Sequence, residues 1–195
     1  MPRTHQQNEE IRAATRTAVV QSAIRLFAQN GYAATTTRAI AREAGISAGL
    51  MYHYFDSKES LLRAVFDHIM AILNEAFTAA MLASPPNGQT AAVLRTIFTL
   101  LAGDAPFWTL FYALRSQPAI TPLLAEAFCE VTDQLRLLFE AQYRQAGYAD
   151  PVLESYVLYS LLEGTIQQYL LNPETYPLAA VTERILATVP QPVHA

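Results

Sequence analysis

Two groups of side chains in this sequence have the types and spacing to do chemistry, and they lie in different halves of the chain. In the second half, Phe98, Phe107, Trp108, Phe111, Tyr112, Phe128, Tyr143, Tyr156 and Tyr159 fall close together. Rings bring large apolar area, and buried tyrosine hydroxyls require hydrogen-bond partners. Such a set can line a small-molecule pocket, with Arg115, Glu163 and Gln167 as its few polar groups. The same rings at helical spacing also suit a plain core, and Arg115 also suits a helix C-terminus. In the first half, residues 35–59 read TTTRAIAREAGISAGLMYHYFDSKE. This stretch has the spacing of two short helices joined by a tight glycine-containing turn, which is either the form that places a second helix in the DNA major groove or an ordinary compact helical hairpin. No nucleophile–base spacing, phosphate loop or metal motif is present, which argues against an enzyme, a cofactor and a bound metal. The single cysteine, Cys129, excludes an intramolecular disulfide and a multi-cysteine zinc site, and reads as a buried small apolar residue. His68 reads as a packed or solvated histidine.

The elements that must position these groups are all helices, because apolar residues recur at helical rather than alternating spacing. The first helix spans about 10–30, with Val19, Val20, Ala23, Leu26 and Phe27 at core positions, and Gly31 ends it. Residues 1–9 are polar and read as disordered. Thr36 caps a helix over about 37–44, Gly45 breaks it, Ser47 caps another over 48–54, and Ser57 caps a long one over 58–82. Ile40, Ala41, Ala44 and Ile46 supply the contacts that lock the two short helices together. Ser84-Pro85-Pro86-Asn87-Gly88 is either a domain boundary or an ordinary loop. Further helices follow over about 89–103, 105–117, 120–146, 151–171 and 178–188, punctuated by Gly103, Pro106, Pro118, Pro122, Gly147, Pro151, Pro173 and Pro177. The expected organisation is a helix-turn-helix domain at 10–56 and a helical ligand-binding and dimerisation domain at 57–190, joined by the 58–82 helix.

At 195 residues, 52% apolar and 15% charged, the chain has a globular composition. Its net charge of −4 is unusual for a nucleic-acid binder, but the distribution is uneven. Residues 1–60 hold seven basic and five acidic residues, and the remainder holds six basic and twelve acidic. Lys58 is the only lysine. The absence of an apolar leader and of an unbroken apolar run of about 18 residues predicts a cytoplasmic protein without a membrane partner.

At the level of individual residues, Leu26-Phe27, Gly31-Tyr32, Thr35-Thr36, Arg38, Ile40-Ala41, Ala44-Gly45-Ile46-Ser47, Gly49, Tyr52, Tyr54-Phe55 and Lys58-Glu59 resemble the N-terminal domain of TetR-family transcriptional regulators. The resemblance covers about residues 16–62. It implies a three-helix DNA-binding domain, Ser47 capping the recognition helix, and a dimer on a near-palindromic double-stranded operator. It also implies repression relieved by a small-molecule effector, here expected to be hydrophobic or aromatic. By the same resemblance, Thr36 and Thr37 lie near a phosphate at a helix N-terminus. Tyr52, with His53 or Tyr54, and Lys58 hold further phosphates, which positions the protein without reading sequence. Arg38 and Arg42 are candidates for phosphate or base contact, or are solvated. Phe55 is expected in the core. The chain departs from the family at Ala48, where lysine is frequent. With Gly49 and Leu50 also apolar, base reading would rest on van der Waals contact, as with thymine methyl groups. Affinity would then rest on Thr37, Arg38, Tyr52, Lys58 and an arm carrying Arg3, Arg12 and Arg16.

The 151–171 helix carries two stripes. Tyr156, Tyr159, Glu163, Gln167 and Leu170 share one arc, and Leu153, Val157, Ser160, Gly164, Gln168 and Leu171 share another about 100° away. The first is expected to face the pocket. The second, with small Ser160 and Gly164, is expected to pair with a second copy together with Val181, Ile185 and Leu186.

Overall fold

The computed structural model describes residues 5–116 and 121–190. Among these residues there is no strand. The helices are α1 (His5–Asn30), α2 (Thr37–Glu43), α3 (Ala48–Tyr54), α4 (Lys58–Leu82), α5 (Gln89–Gly103), α6 (Ala105–Ser116), α7 (Thr121–Gln145), α8 (Pro151–Leu171) and α9 (Leu178–Leu186), with a 3-10 turn at Pro86–Gly88. The all-helical class is that expected from the sequence. Arg3 and Pro118, both singled out there, lie outside the described residues, and Cys129, expected to be buried, is exposed on α7.

Local chemistry explains the boundaries. The Thr36 hydroxyl accepts from the Ala39 N–H at 3.2 Å and Ser47 from the Leu50 N–H at 3.1 Å, satisfying donors that the first turn of a helix leaves open. At the start of α4, the Ser60 N–H donates to the Ser57 hydroxyl at 3.0 Å. In return the Ser57 N–H donates to the Ser60 hydroxyl at 3.2 Å. This is a reciprocal capping box with serine in the place usually held by Glu or Gln. After α2, Gly45 adopts φ +70°, and the Ile46 N–H reaches back to the Ala41 carbonyl at 2.9 Å. That left-handed turn is open to glycine at no steric cost, and it sets the sharp exit from α2. Helix α1 begins at His5, earlier than about residue 10. Its first turns are Gln, Asn and Glu, and Gln6 bonds Glu10 one turn on at 3.3 Å. Arg12 and Arg16 therefore belong to a helix and not to an arm.

The chain divides into two compact units, Met1–Ile72 with Leu110–Leu124, and Leu73–Thr109 with Ala125–Ala195. The first unit thus takes α4 as far as Ile72, beyond the expected boundary at residue 56. The 3-10 turn at Pro86–Gly88 lies inside the second unit, so the proline-glycine cluster is a loop and not a boundary. In the first unit Val19, Val20, Ala23, Phe27, Ile40, Met51, Phe55, Leu61, Leu62 and Val65 are buried. In the second the core includes Leu94, Ile97, Leu101, Phe139, Leu158, Leu162 and Ile166. There the Gln142 side-chain amide donates to the Asn87 carbonyl at 3.0 Å and the Pro190 carbonyl at 2.9 Å. Helix α4 is long and apolar enough by length and composition to cross a membrane. Its sides are unlike, however: Leu61, Leu62, Val65 and Ile69 are buried, whereas Arg63 and Asp67 are exposed and paired at 4.0 Å. That asymmetry is the pattern of a helix lying on a core.

Candidate nucleic-acid interface

Helix α3 has one buried side chain, Met51, held with Ile40 and Ala41 of α2 in the core of the first unit. Burying a side chain of that size contributes about 1.5–3 kcal/mol, which seats a helix too short to stand alone. With Met51 inward, Ala48, Gly49, Leu50, Tyr52 and His53 are exposed, Leu50 to 40% and Tyr52 to 52%. Solvent-facing large apolar groups on a helix of seven residues are wasteful unless something else covers them. The Tyr52 hydroxyl lies 3.2 Å from the Thr37 hydroxyl in the first turn of α2, tying α3 to the N-terminus of its neighbour. Thr36 is exposed as the α2 cap, and Arg38 and Arg42 are exposed with no ion pair among the described residues.

Three features escaped the sequence reading. The Arg12 guanidinium of α1 lies 3.3 Å from His53 Nε2; arginine can only donate, so the ring nitrogen accepts. Arg16, one turn further along, lies 5.1 Å from the Phe55 ring centroid, and Phe55 is in the core. The 12/16 spacing on one helical face was the available signal. Third, Lys58 is a clamp. Its ammonium donates to the Tyr32 carbonyl at 2.5 Å and the Ala33 carbonyl at 3.3 Å, and stands 4.2 Å from the Tyr32 ring centroid. Two of its three N–H donors are thus used inside the chain, leaving one for an outside anion. Partial burial lowers the Lys58 pKa from its ordinary value. Burial, and then the negative charge of Glu59, push the Tyr32 hydroxyl up to about 12. Glu59 itself is held below the usual carboxylate range, first by backbone N–H at the start of α4 and then by the Ser57 hydroxyl.

The aromatic set of the second half is divided between the two compact units. Phe111, Tyr112 and Arg115 belong to the first unit, where Phe111 stacks on Phe66 at 6.4 Å and Arg115 lies 5.9 Å from the Tyr112 ring centroid. The others belong to the second unit. There Phe107 meets the buried Trp108 edge-on at 5.8 Å, and Tyr143 meets Tyr148 at 5.0 Å. Burial, followed by the charge of Glu154, raises the Tyr143 pKa to about 12. Tyr159 and Glu163 do come together: the Tyr159 hydroxyl donates to Glu163 at 2.8 Å and lies 3.1 Å from the Thr132 hydroxyl. Tyr156 and Gln167 are exposed, and Arg136 stands 4.0 Å from the Tyr156 ring centroid.

On α8 the inward arc is a third one, Ser155, Leu158, Leu162, Thr165 and Ile166. Leu153, Val157, Ser160, Gly164 and Gln168 all face solvent, Leu153 to 56% and Val157 to 48%. On α9, Val181 is half-buried while Ile185 and Leu186 are buried in their own chain. Ser160, Gly164, Gln168, Val181 and Ile185 line one open groove of about 510 Å³.

Residues 19–65 match the family model "Bacterial regulatory proteins, tetR family". The chain is 39% identical over 102 residues, half of each protein, to the HTH-type transcriptional regulator BetI of Rhizobium meliloti. It therefore spans about half the length of that curated relative. Among solved structures, a TetR transcription regulator from Haloarcula marismortui is similar, with a TM-score of 0.79 at 17% identity, covering 91% of this chain and 97% of that one. FadR of Bacillus subtilis, solved in complex with stearoyl-CoA, is similar at a TM-score of 0.73 and 22% identity, covering 91% of this chain and 99% of that one. These structural likenesses show the fold across nearly the whole chain, and the family match at residues 19–65 contains α2 and the exposed α3. Residues 19–65 of the chain thus carry the domain described as bacterial regulatory proteins of the tetR family.

Proposed function

We propose that this chain is a dimeric, cytoplasmic transcriptional regulator that binds a near-palindromic operator and is released from it by a hydrophobic or aromatic small molecule. The observation that carries the reading is α3. It is a short capped helix anchored by Met51, presenting Ala48, Gly49, Leu50, Tyr52 and His53 outward. An exposed ridge on a helix of this size suits the major groove, with Leu50 reading thymine methyl groups. Ser47 and Thr36 hold the two helix N-termini, and Thr37, Arg38, Tyr52 and the remaining donor of Lys58 take phosphates. Two such ridges in a two-fold dimer engage half-sites about 34–36 Å apart.

The exposed Leu153, Val157, Ser160, Gly164 and Gln168 of α8, with Val181 of α9, support the dimer face. Obligate homodimer interfaces are apolar, and small residues let helices approach closely. The half-buried Thr132–Tyr159–Glu163 chain supports an effector site in the second unit, with Phe107, Trp108 and Tyr143 as its candidate apolar neighbours. A structural neighbour crystallised with stearoyl-CoA is consistent with an effector of largely apolar body. Fluorescence anisotropy with DNA from upstream of the protein's own gene tests the reading. We expect tighter binding to that DNA than to random duplex, with log K falling linearly against log salt. Equal affinity for both duplexes, or no salt dependence, overturns it.

A further inference from the structure

The second unit holds another cavity, separate from the Tyr159–Glu163 pair. It is an open groove of about 870 Å³ bounded by α5, the end of α8, the 173–177 loop and α9. That volume is in the usual range for small-molecule sites. Its walls are Phe98, Tyr169 and Tyr176, the last two edge-on at 6.4 Å, with Pro173 and Pro177 also on the lining. Proline fixes its own backbone φ, so this wall is stiff before any ligand arrives.

Two polar features stand out against these apolar walls. Arg95 is the single cation on the lining, and its partner among the described residues is Glu183, through one nitrogen at 2.6 Å. A guanidinium has five donors, so most of its recognition capacity is unused. Both side chains of the pair are more than half exposed, and an ion pair of that kind contributes little and is readily exchanged. The other feature is Thr182, which lines the groove and is only 9% exposed. Its hydroxyl makes no hydrogen bond to any described residue, so it is available to an occupant of the groove.

We propose that this groove is a second ligand site, for a small organic acid with an aromatic or aliphatic body. The body lies along Phe98, Tyr169 and Tyr176. The carboxylate replaces Glu183 on Arg95, where planar guanidinium and planar carboxylate can pair through two hydrogen bonds. The Thr182 hydroxyl supplies a further donor. Helix α9 has its other side in the groove lined by Val181, Arg184 and Ile185, so an occupant here moves the wall of the proposed dimer face. The binding itself does not depend on the DNA-binding reading.

The test is calorimetry on the full chain with 4-phenylbutyrate, and with its neutral amide as the control. The acid should bind, and the amide should bind about tenfold more weakly, because it forgoes a charge-assisted pair. Arg95→Gln should remove that preference. Glu183→Gln removes the competing carboxylate and should tighten the acid several-fold, a gain that a merely structural ion pair would not produce. Thr182→Val keeps the shape and should weaken the acid. Circular dichroism checks that each variant is folded; Arg95 and Glu183 are exposed, so neither change opens the core. No binding of the acid up to about 10 mM, a range that reaches the weakest specific affinities, overturns the proposal. So does equal binding of acid and amide, or an Arg95→Gln variant that keeps the preference.

Discussion

Gly164 gives the sharpest test of the proposed dimer face, because the structure separates its effect on the fold from its effect on association. It lies in the interior of α8 and faces solvent, and a Cβ added there would meet nothing within 4 Å beyond its chain neighbours and the adjoining backbone of its own helix. Within one protomer, Gly164→Leu should therefore stabilise the helix by about 0.5–1 kcal/mol, the usual gain from removing a helical glycine. If α8 packs against α8 of a second copy at this point, the same leucine has no room. Overpacking a close contact costs about 1–3 kcal/mol, and two-fold symmetry imposes it twice, giving about 2–6 kcal/mol. The dimer dissociation constant should rise by about 30-fold or more. Sedimentation across a concentration series reads that shift, and helix content by circular dichroism reads the protomer. The expected result is intact helicity with a monomer-shifted profile and a parallel loss of operator binding. A variant that sediments as the unaltered protein does would place the interface on another surface. A variant that loses its helicity would refute the claim that Gly164 is unencumbered.

The other expectations concern the DNA face and the buried tyrosines. Lys58→Ala should flatten the salt slope of DNA binding by about one unit; an unchanged slope would show that Lys58 touches no phosphate. The same change removes the clamp on the Tyr32 and Ala33 carbonyls, so the melting temperature should fall by a few degrees, for a loss of about 1–2 kcal/mol in a partly exposed contact. Leu50→Ala should cost on the order of 1 kcal/mol on operator and little on random duplex; equal losses would remove Leu50 from base reading. Tyr32 and Tyr143 ionise near 12 in the folded chain and near 10 when unfolded. Their contribution is fully present below pH 10 and is lost as pH rises from 10 towards 12. Denaturant stability should therefore fall across that window, and less steeply in Tyr143→Phe, whereas identical slopes would show no linkage at that site.

Helix positions were legible in the sequence because their punctuation is local chemistry. Thr36, Ser47 and Ser57 cap where they stand, and Gly31, Gly45 and Gly147 all take positive φ just beyond a helix. Legibility failed where several faces of one helix carry similar residues. Helix α8 is apolar nearly all round, and its buried arc contains Ser155 and Thr165. Their hydroxyls disguise it, although Ser155 is satisfied locally by the Val152 carbonyl at 2.7 Å. The two arcs read from spacing were real arcs, yet neither was the one facing the core. Lys58 shows a different limit: its type and place suggested an outward role, and nothing in the sequence could show that the Tyr32 and Ala33 carbonyls lie within its reach. Likewise the rings of the second half were countable, but not their partition between two compact units.

That Lys58 is the only lysine, and is fastened at the foot of α4, bears on how this protein can be handled and watched. Apart from the chain's own α-amino group, every amine-directed reagent has one target, and it is on the face proposed to meet DNA. Coupling the protein to a surface through amines would mask the property to be measured. Conversely, lysine labelled with nitrogen-15 at Nζ places a single reporter at that face. Loss of the carbonyl clamp, arrival of a phosphate or exchange with solvent would each register as a change in one resonance, free of overlap from any other side chain of its kind.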